Sequence, residues 1–463
     1  MRIALAAFLL SALLGCGRVR FVPGPPLDAG ADADAFLVSV PDAFVVARIG
    51  VDAPLPDASL PDDAPASLDA FAPDDAPPSL DAFAADTRVP DAFNRPDAPT
   101  VDASMGALRV LSIGLDENDF AEGNFSCALQ SDGRIACWGG NQYGQLGDGT
   151  TERRAHPTEV VGIRTATQLA VGGTHACAVL ASGQVFCWGR NLYGELGTGA
   201  LGNSSVPVEA TVVAGAAIVG IDAGVGRTCV VRIGGAVDCW GSAIWRADSS
   251  DALTPDRVWP GGVERVDLGA HMIATFQAGG VTEYVGSPGW GVAWSSSPTR
   301  LVDSLGANLL TQSFVMGWDH GCAALVDGRA VCMGRDEGKS GDGPPDDVEH
   351  ATPVVVLDVA DAVEVAAGAW HACARLRDGH VSCWGSNSSG ELGDGGAGGS
   401  GRTATSAVGI TTAVQIEAGW SHSCALLADG SVQCWGSNGT GQLGTGDFGS
   451  RSTPTPVVGL PLP

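Results

Sequence analysis

Cysteine is the residue whose type and spacing most directly indicate chemistry in this chain. Twelve of the thirteen cysteines form six pairs whose members stand ten positions apart, with a glycine six positions after the first. The pairs are Cys127 and Cys137, Cys177 and Cys187, Cys229 and Cys239, Cys322 and Cys332, Cys373 and Cys383, and Cys424 and Cys434. Two apolar runs around a three-residue loop that ends in glycine are typical of a β-hairpin, and this loop places the two cysteines roughly opposite each other. Opposed strand residues lie close enough for a disulfide, so we predict six disulfides; buried free thiols are the alternative.

Histidine recurs in the segment just before the hairpin, at His175, His271, His320, His371 and His422. A histidine repeated at one structural position is more typical of a hydrogen bond to a loop than of catalysis or metal binding, and no clustered ligand spacing is present. The sequence holds no Gly-x-Ser-x-Gly elbow, no His-Glu-x-x-His motif and no phosphate-binding loop. We therefore predict that the protein is not an enzyme and has no catalytic residues, cofactor or metal site.

The repeat period indicates how the hairpins are assembled. The first cysteine of each unit falls at 127, 177, 229, 322, 373 and 424, and the gap after 229 is about two periods long. A degenerate seventh unit fills this gap at 269–284, where Ile273 is expected to replace the first cysteine. A period of about 50 residues with strand-type content predicts an all-β, seven-bladed β-propeller with one blade per repeat. One tryptophan in each well-formed unit is expected to pack between adjacent blades: Trp138, Trp188, Trp240, Trp384 and Trp435.

The chain begins with a segment typical of a signal peptide, residues 1–16. It has a short basic start, an apolar run from Ile3 to Leu14, and a final Gly15-Cys16 pair. Residues 13–16 resemble the lipobox of bacterial lipoproteins, which implies that Cys16 is lipidated and becomes the mature N-terminus. The protein would then be exported and anchored by lipid to a bacterial membrane, by resemblance the outer one, with the propeller in the periplasm or at the cell surface. An ordinary cleaved signal with an unmodified Cys16 is the alternative.

Residues 17–105 differ from the rest in composition. Positions 21–104 contain sixteen Asp, three Arg, fourteen Pro, no Glu and no Lys, and Asp-Ala-Phe recurs five times. A Pro-rich segment with one sign of charge buries too little apolar surface to offset the entropy of ordering. We expect a disordered acidic linker that acts as a spacer; docking motifs built from the Asp-Ala-Phe repeats are the alternative.

Residues 106–463 are predicted to form the propeller. Their recurring Gly-x-His-x-Cys-Ala-Leu, Asp-Gly and Cys-Trp-Gly-x-Asn-x-x-Gly-Gln-Leu-Gly-x-Gly segments resemble the regulator of chromosome condensation (RCC1-like) repeat family. The fold of that family is a seven-bladed β-propeller, which agrees with the count obtained from the period. The third, fourth and fifth units depart from the motif: Arg227 stands at the histidine position and Met333 at the tryptophan position.

The remaining expectation concerns recognition by the loops of the propeller. The chain carries a net charge of −27 and a single lysine, Lys339, which argues against nucleic-acid binding. Aromatic residues outside the repeat motif are the candidate anchors for a partner, because aromatics are favoured at interfaces. These candidates are Trp318, Trp370, Trp420, Tyr143 and Tyr193. Burial of these side chains over the blade ends or the central channel is the alternative.

Three classes of function compete at this point. The first is an envelope-anchored monomer that binds a protein or a surface polymer through one loop face and contacts the membrane only by its lipid. The second, implied by the family resemblance, is guanine-nucleotide exchange on a small GTPase, against which the predicted export argues. The third is inhibition of a secreted hydrolase of the β-lactamase type, which is implied by the resemblance of the chain to secreted bacterial members of this fold that cap the active sites of β-lactamases.

Overall fold

We analysed a computed structural model of the 463-residue chain. It describes residues 20–21, 35–40, 43–48, 108–115, 124–211, 217–242, 250–269, 272–286, 295–335, 338–343 and 349–461. The chain divides into two compact units, Met1–Ala85 and Asp86–Pro463. In the first unit, three strands pair in the order β1-β2-β3. They are β1 (Arg20–Phe21), β2 (Ala35–Val40) and β3 (Ala43–Arg48). The other residues of 1–105 lie outside the described part, so the signal peptide, the lipid on Cys16 and the spacer stay predictions.

The second unit consists of seven four-stranded antiparallel sheets, which confirms the seven-bladed propeller. Blade 1 comprises β4 (Val110–Leu115), β5 (Phe125–Gln130), β6 (Ile135–Gly139) and β7 (Arg154–Glu159). Blade 2 comprises β8 (Ala166–Val171), β9 (His175–Leu180), β10 (Val185–Gly189) and β11 (Ser204–Glu209). Blade 3 comprises β12 (Ile218–Gly224), β13 (Arg227–Arg232), β14 (Val237–Gly241) and β15 (Ala252–Trp259).

The remaining four blades repeat this order. Blade 4 comprises β16 (Val263–Leu268), β17 (Met272–Gln277), β18 (Val281–Gly286) and β19 (Ser295–Arg300). Blade 5 comprises β20 (Thr311–Met316), β21 (His320–Leu325), β22 (Ala330–Arg335) and β23 (Glu349–Val355). Blade 6 comprises β24 (Ala362–Ala367), β25 (His371–Leu376), β26 (Val381–Ser386) and β27 (Ser400–Ser406). Blade 7 comprises β28 (Ala413–Ala418), β29 (His422–Leu427), β30 (Val432–Gly436) and β31 (Arg451–Pro456).

We call the strands of each blade A to D in chain order. The A strands of neighbouring blades contact one another around the centre of the ring, and each D strand pairs only with its own C strand, at the outer edge. Since the strands alternate in direction, the A–B and C–D connections lie at one end of every blade, and the B–C hairpins and D–A connections lie at the other. We call these two surfaces the AB face and the BC face.

The B–C hairpin forms as its sequence predicts. In blade 2, Gly183 takes a φ of +83° in the third loop position, and its N–H donates to the carbonyl of Leu180 at 2.8 Å. This turn places Cys177 directly opposite Cys187. All six predicted pairs are disulfide-bonded, with Cα atoms 4.0–4.1 Å apart, and all twelve cysteines are buried.

The fourth unit corrects one expectation. Ile273 was expected to take the place of the first cysteine, but the structure pairs Ala274 with Tyr284 at the positions that cystine occupies elsewhere. The reason is the turn: the N–H of Gly280 donates to the carbonyl of Gln277, so Gly280 takes the hairpin position, and the residue six places before it is Ala274.

The hydrophobic core consists of separate clusters, most of which lie between adjacent blades. One cluster joins Cys127 and Leu146 of blade 1 to Leu169 and Trp188 of blade 2. Another joins blade 7 to blade 1 and so closes the ring, with Trp138 buried against Leu443. All five motif tryptophans are fully buried between blades, as expected. The ring therefore closes by packing and hydrogen bonds between complete blades, and each blade is continuous in sequence.

Candidate functional site

The A–B turns of blades 5, 6 and 7 bring three candidate tryptophans together on the AB face. These turns begin at Gly317, Gly368 and Gly419, and the N–H of each glycine donates to the carbonyl of the histidine three residues later at 2.8–2.9 Å. A Cβ on Gly317 would lie 2.1 Å from the carbonyl oxygen of Gly368, and one on Gly368 would lie 2.3 Å from that of Gly419. Glycine is required here because neighbouring turns touch through their backbones, and this contact sets the tryptophans side by side.

The three indole rings form a contiguous group, which we call the tryptophan cluster: Trp318, Trp370 and Trp420. The ring of Trp420 lies edge-on to that of Trp318, with centroids 5.2 Å apart, and edge-on to that of Trp370, with centroids 6.3 Å apart. This geometry is favourable because the positive edge of one ring meets the negative face of another. Each ring is half-buried, so part of the cluster faces solvent. Three large aromatics from three consecutive blades can therefore serve as one anchor for a partner.

A buried ion pair lies directly against the tryptophan cluster. The ammonium of Lys339, the only lysine of the chain, donates to Asp319 Oδ1 at 2.7 Å, and both side chains are 1% exposed. The same ammonium lies 4.3 Å from the ring centroid of Trp370, in a cation–π contact. Burial raises the pKa of Asp319, but the neighbouring His320 and Lys339 outweigh burial and hold that pKa below its usual range. The pair is satisfied internally, so it fixes the C–D loop of blade 5 against the cluster.

The repeated histidines connect neighbouring blades through a hydroxyl group. His371 Nε2 of blade 6 lies 2.8 Å from Ser423 Oγ of blade 7, and that hydroxyl donates to the carbonyl of Glu391 back in blade 6. Since the hydroxyl proton is used in this way, Nε2 must carry the hydrogen and donate to Oγ. Equivalent bridges run from His175 to Thr228 and from His422 to Ser126.

Burial keeps the imidazoles of these bridges neutral. His175, His371 and His422 are fully buried, and burial lowers the pKa of each to about 3. The Nδ1 atoms of all three rings are buried and have no hydrogen-bond partner. A second proton would therefore add a buried N–H without an acceptor. The expected structural role agrees with this geometry for these three histidines, whereas His271 lies outside the described residues.

The motif tryptophans add a second bond at the same junctions. Trp435 Nε1 donates to the carbonyl of Glu391 at 2.7 Å, and Trp138, Trp188 and Trp240 donate to the equivalent carbonyls of Gln442, Gln145 and Glu195 at 2.7–2.9 Å. One buried carbonyl thus accepts from the tryptophan of the next blade, and it also accepts from the hydroxyl where one is present. This shared acceptor positions the C–D loop of one blade on the body of the next.

Tyr143 and Tyr193, the other two candidates, lie together at the junction of blades 1 and 2. The guanidinium carbon of Arg190 is 5.7 Å from the ring centroid of Tyr143 and 5.3 Å from that of Tyr193. Tyr143 is half-buried, and Tyr193 is 40% exposed beside the exposed Leu192. The tyrosines form an aromatic group separate from the tryptophan cluster, although both groups lie on the AB face.

The sequence reasoning missed three of these residues. Lys339 was noted only as the single lysine, and neither Asp319 nor Arg190 was singled out. A signal for Lys339 was present, because it stands at the motif position that holds Gln or Glu in the four regular C–D loops. Within the described residues, no group of three or more His, Cys, Asp or Glu side chains is placed to hold a metal ion. No helix among those residues is long and apolar enough to cross a membrane.

Comparison with known proteins identifies the repeats. Residues 132–179, 182–231 and 429–462 match one family described as "Regulator of chromosome condensation (RCC1) repeat", and residues 166–195, 362–391 and 413–442 match a second family of the same description. The "Ultraviolet-B receptor UVR8" of Arabidopsis thaliana is 27% identical over 368 residues, which are 73% of this chain and 81% of that protein. The "Probable E3 ubiquitin-protein ligase HERC3" of Homo sapiens is 39% identical over 104 residues, 22% of this chain. That match spans only 10% of HERC3.

Solved structures show the same architecture. Yeast RCC1 (Prp20), in its complex with Kap60, superimposes with a TM-score of 0.61 at 20% identity, over 70% of this chain and 83% of that one. Human WBSCR16 superimposes with a TM-score of 0.60 at 19% identity, over 70% and 94% of the two chains. At these identities the likeness establishes the fold alone.

Proposed function

Since this chain carries RCC1 repeats folded into a seven-bladed propeller, we propose that it is a non-catalytic binding protein that holds a partner protein on its AB face. The observation that carries the proposal is the tryptophan cluster. It places three half-buried indoles together on one face, with the ring of Trp420 in contact with both others, and aromatic anchors of this kind dominate the energy of many protein interfaces. A propeller scaffold holds such loops rigidly, which lowers the entropic cost of binding.

We further propose that the protein is exported and held at the cell envelope by a lipid on Cys16. Six buried disulfides are compatible with export, since disulfides persist in oxidising compartments. The charge supports a protein partner over nucleic acid, because residues 106–463 contain 36 acidic and 19 basic residues, a net charge of −17. Replacement of Cys16 by Ser is expected to release the protein from the membrane fraction, whereas unchanged membrane association would refute the lipid anchor.

The proposed interface is tested by capture from envelope extracts. Triple substitution of Trp318, Trp370 and Trp420 by Ala is expected to abolish recovery of the partner found with the unaltered protein. The matched control replaces two exposed apolar residues of the BC face, Ile233 and Leu305, by Ala and is expected to leave recovery unchanged. Unchanged thermal unfolding of each variant ensures that loss of binding is not loss of folding.

Covalent photo-cross-linking identifies the partner directly. Amine-reactive cross-linkers are unsuitable because the only lysine is buried and paired. A photoreactive amino acid at the exposed Ser388, on the C–D loop of blade 6, samples the AB face, because the N–H of Ser386 in the same loop donates to the carbonyl of Trp370 at 2.7 Å. Cross-links from this position, and none from a photoreactive group at Leu305, are the expected result. A cytosolic GTPase as the specific partner would instead support nucleotide exchange, and the reverse cross-linking pattern would exclude the AB face.

A further inference from the structure

The orientation of the rings in the tryptophan cluster limits what can bind there. The plane of the Trp420 ring makes an angle of 75° with that of Trp318 and of 89° with that of Trp370, so no flat surface extends across the cluster. A large flat ligand would need coplanar rings to stack on all three of them. Rings at steep angles instead form the walls of a cage, the arrangement by which aromatic side chains surround a cation.

The structure already holds a cation against one of these rings. The ammonium of Lys339 lies 4.3 Å from the ring centroid of Trp370, and the lysine side chain is 1% exposed, so this contact lies beneath the surface. The ring of Trp370 is only half-buried, and part of it therefore still faces solvent. Since the carboxylate of Asp319 neutralises the ammonium, the buried pair adds no net charge that would repel a second cation.

The tyrosine group of the same face shows how a guanidinium fits between aromatic rings. The side chain of Arg190 is buried, and its guanidinium carbon lies within cation–π distance of the rings of Tyr143 and Tyr193. The two tyrosines come from neighbouring blades, as the three indoles of the tryptophan cluster do. Both aromatic groups thus hold a cation of the chain itself, and the tryptophan cluster keeps ring surface for one more.

The charges around the centre of the ring favour a cation beside the tryptophan cluster. The seven A strands contain five acidic residues and one arginine. Three of the acids, Asp222, Asp267 and Glu417, stand two residues before the glycine that begins the A–B turn, so they lie at the AB end of their strands. Glu417 is partly exposed and is three residues before Trp420. Together with the net charge of −17 of residues 106–463, these carboxylates attract a basic group and repel an acidic one.

We propose that the partner places an arginine or lysine side chain on the tryptophan cluster. Since it names the chemistry that the same site recognises, this proposal rests on the proposed function. The cation contacts the exposed parts of the indole rings, and the carboxylate of Glu417 supplies opposite charge at the AB end of the neighbouring strand. A neutral side chain gains only the apolar contact, and an acidic one is repelled by both the ring faces and the carboxylates.

The first test compares two short peptides on the full chain. Acetyl-Gly-Arg-Gly-Arg-Gly-amide and its citrulline counterpart have nearly the same shape, but citrulline carries no charge. The immobilised protein is expected to bind the arginine peptide about 5-fold more tightly than the citrulline peptide, and the triple Ala variant of the tryptophan cluster is expected to lose this preference. Equal binding of the two peptides, or an arginine preference that persists in the triple variant, would overturn the proposal.

The second test changes single charges near the tryptophan cluster. In Glu417→Gln the amide oxygen can still accept from Gln415 but the charge is gone, so affinity for the arginine peptide is expected to fall about 2-fold. Arg335 is exposed, and its N–H donates to the carbonyl of Asp319, so Arg335→Gln is expected to raise this affinity about 2-fold. The matched control Glu264→Gln removes a charge from an exposed position at the BC end of an A strand and is expected to change nothing. Equal losses in Glu417→Gln and Glu264→Gln would show that the peptide responds to overall charge, which would refute a cation site at the cluster.

Capture from envelope extracts separates the cation site from the proposed function. If the triple variant loses the partner while the two peptides bind equally, the AB face binds a partner but does so without a cation, and this proposal is wrong. If the triple variant still captures the partner, the proposed function is wrong and the cation site is wrong with it.

Discussion

Acid should unfold this propeller well above the pH at which most of its carboxylates titrate. Three fully buried histidines have a pKa lowered from 6.5 to about 3, since burial disfavours the imidazolium. In the unfolded chain the same groups bind a proton near pH 6.5. Between these values the unfolded state binds protons that the native state does not. The stability due to the neutral histidines is therefore fully present above pH 6.5 and is lost as the pH falls towards 3.

The size of this loss follows from the number of groups. Each histidine lowers the free energy of unfolding by about 1.4 kcal/mol per pH unit once the unfolded state is protonated, so the three together give about 4 kcal/mol per unit. Lowering the pH from 6.5 to 4.5 then removes about 7 kcal/mol, because the unfolded histidines are only half protonated at pH 6.5, against a typical total of about 5–15 kcal/mol. His320 acts in the same direction, because burial also lowers its pKa.

Two buried glutamates oppose the histidines. Burial raises the pKa of Glu195 and of Glu391, so each stabilises the native state as it takes up a proton at falling pH. The stabilisation from these two glutamates offsets only part of the free energy that the four buried histidines lose at falling pH. The net expectation is a steep loss of stability between pH 6 and 4.5.

The assay is urea unfolding followed by tryptophan fluorescence at closely spaced pH values, without reductant. In the variant His371→Gln, the side-chain amide can still donate to Ser423 but does not titrate, so the slope of stability against pH is expected to fall by about a third. The control His156→Gln alters an exposed histidine and is expected to leave the slope unchanged. Equal slopes in His371→Gln and the unaltered protein, or constant stability from pH 6.5 to 4, would refute this reasoning.

The architecture was predictable because every blade is one continuous repeat. The spacing of Cys373, Gly379 and Cys383 alone specifies the hairpin turn, the register and the cystine. Each of these depends on residues no more than ten positions apart, so short-range geometry decides them. The number of blades then follows from the period, since none of the described strands is exchanged between blades.

The register of blade 4 was not predictable from the same rule. Two glycines stand in its turn, and both take a positive φ, +84° at Gly279 and +79° at Gly280. Counting six back from them gives Ile273 or Ala274, and the sequence offers no cysteine to decide between these. In the structure the N–H of Gly280 makes the hydrogen bond of the turn, and this sets the register that pairs Ala274 with Tyr284.

The candidate site was predictable only in part. Trp318, Trp370 and Trp420 stand three or four residues before the first cysteine of adjacent blades, which places them at one end of those blades, and the structure brings the ring of Trp420 into contact with the other two. Whether that group binds a partner stays a prediction. The pairing of Lys339 with Asp319 connects different loops twenty residues apart, and no repeat rule covers it, because only blade 5 has either residue at its position.

Two further predictions concern the elements that hold the ring together. Replacement of Cys373 and Cys383 by Ala should lower the free energy of unfolding by about 2–3 kcal/mol, the chain-entropy value for a ten-residue loop, in denaturant titrations without reductant; a titration that finds several free thiols in the denatured, unreduced protein would contradict the cystines. The seam between blades 7 and 1 depends on the buried Gln415, whose amide accepts from the N–H of Ile113 at 3.0 Å and donates to its carbonyl at 2.9 Å. Gln415→Leu leaves both backbone groups of Ile113 without these partners, so we expect a loss of about 1–3 kcal/mol and faster hydrogen exchange at the Ile113 amide. Since the B strand of blade 1 stays paired within its own sheet, exchange at Cys127 should change much less, and equal acceleration at both amides would show that the seam does not open locally.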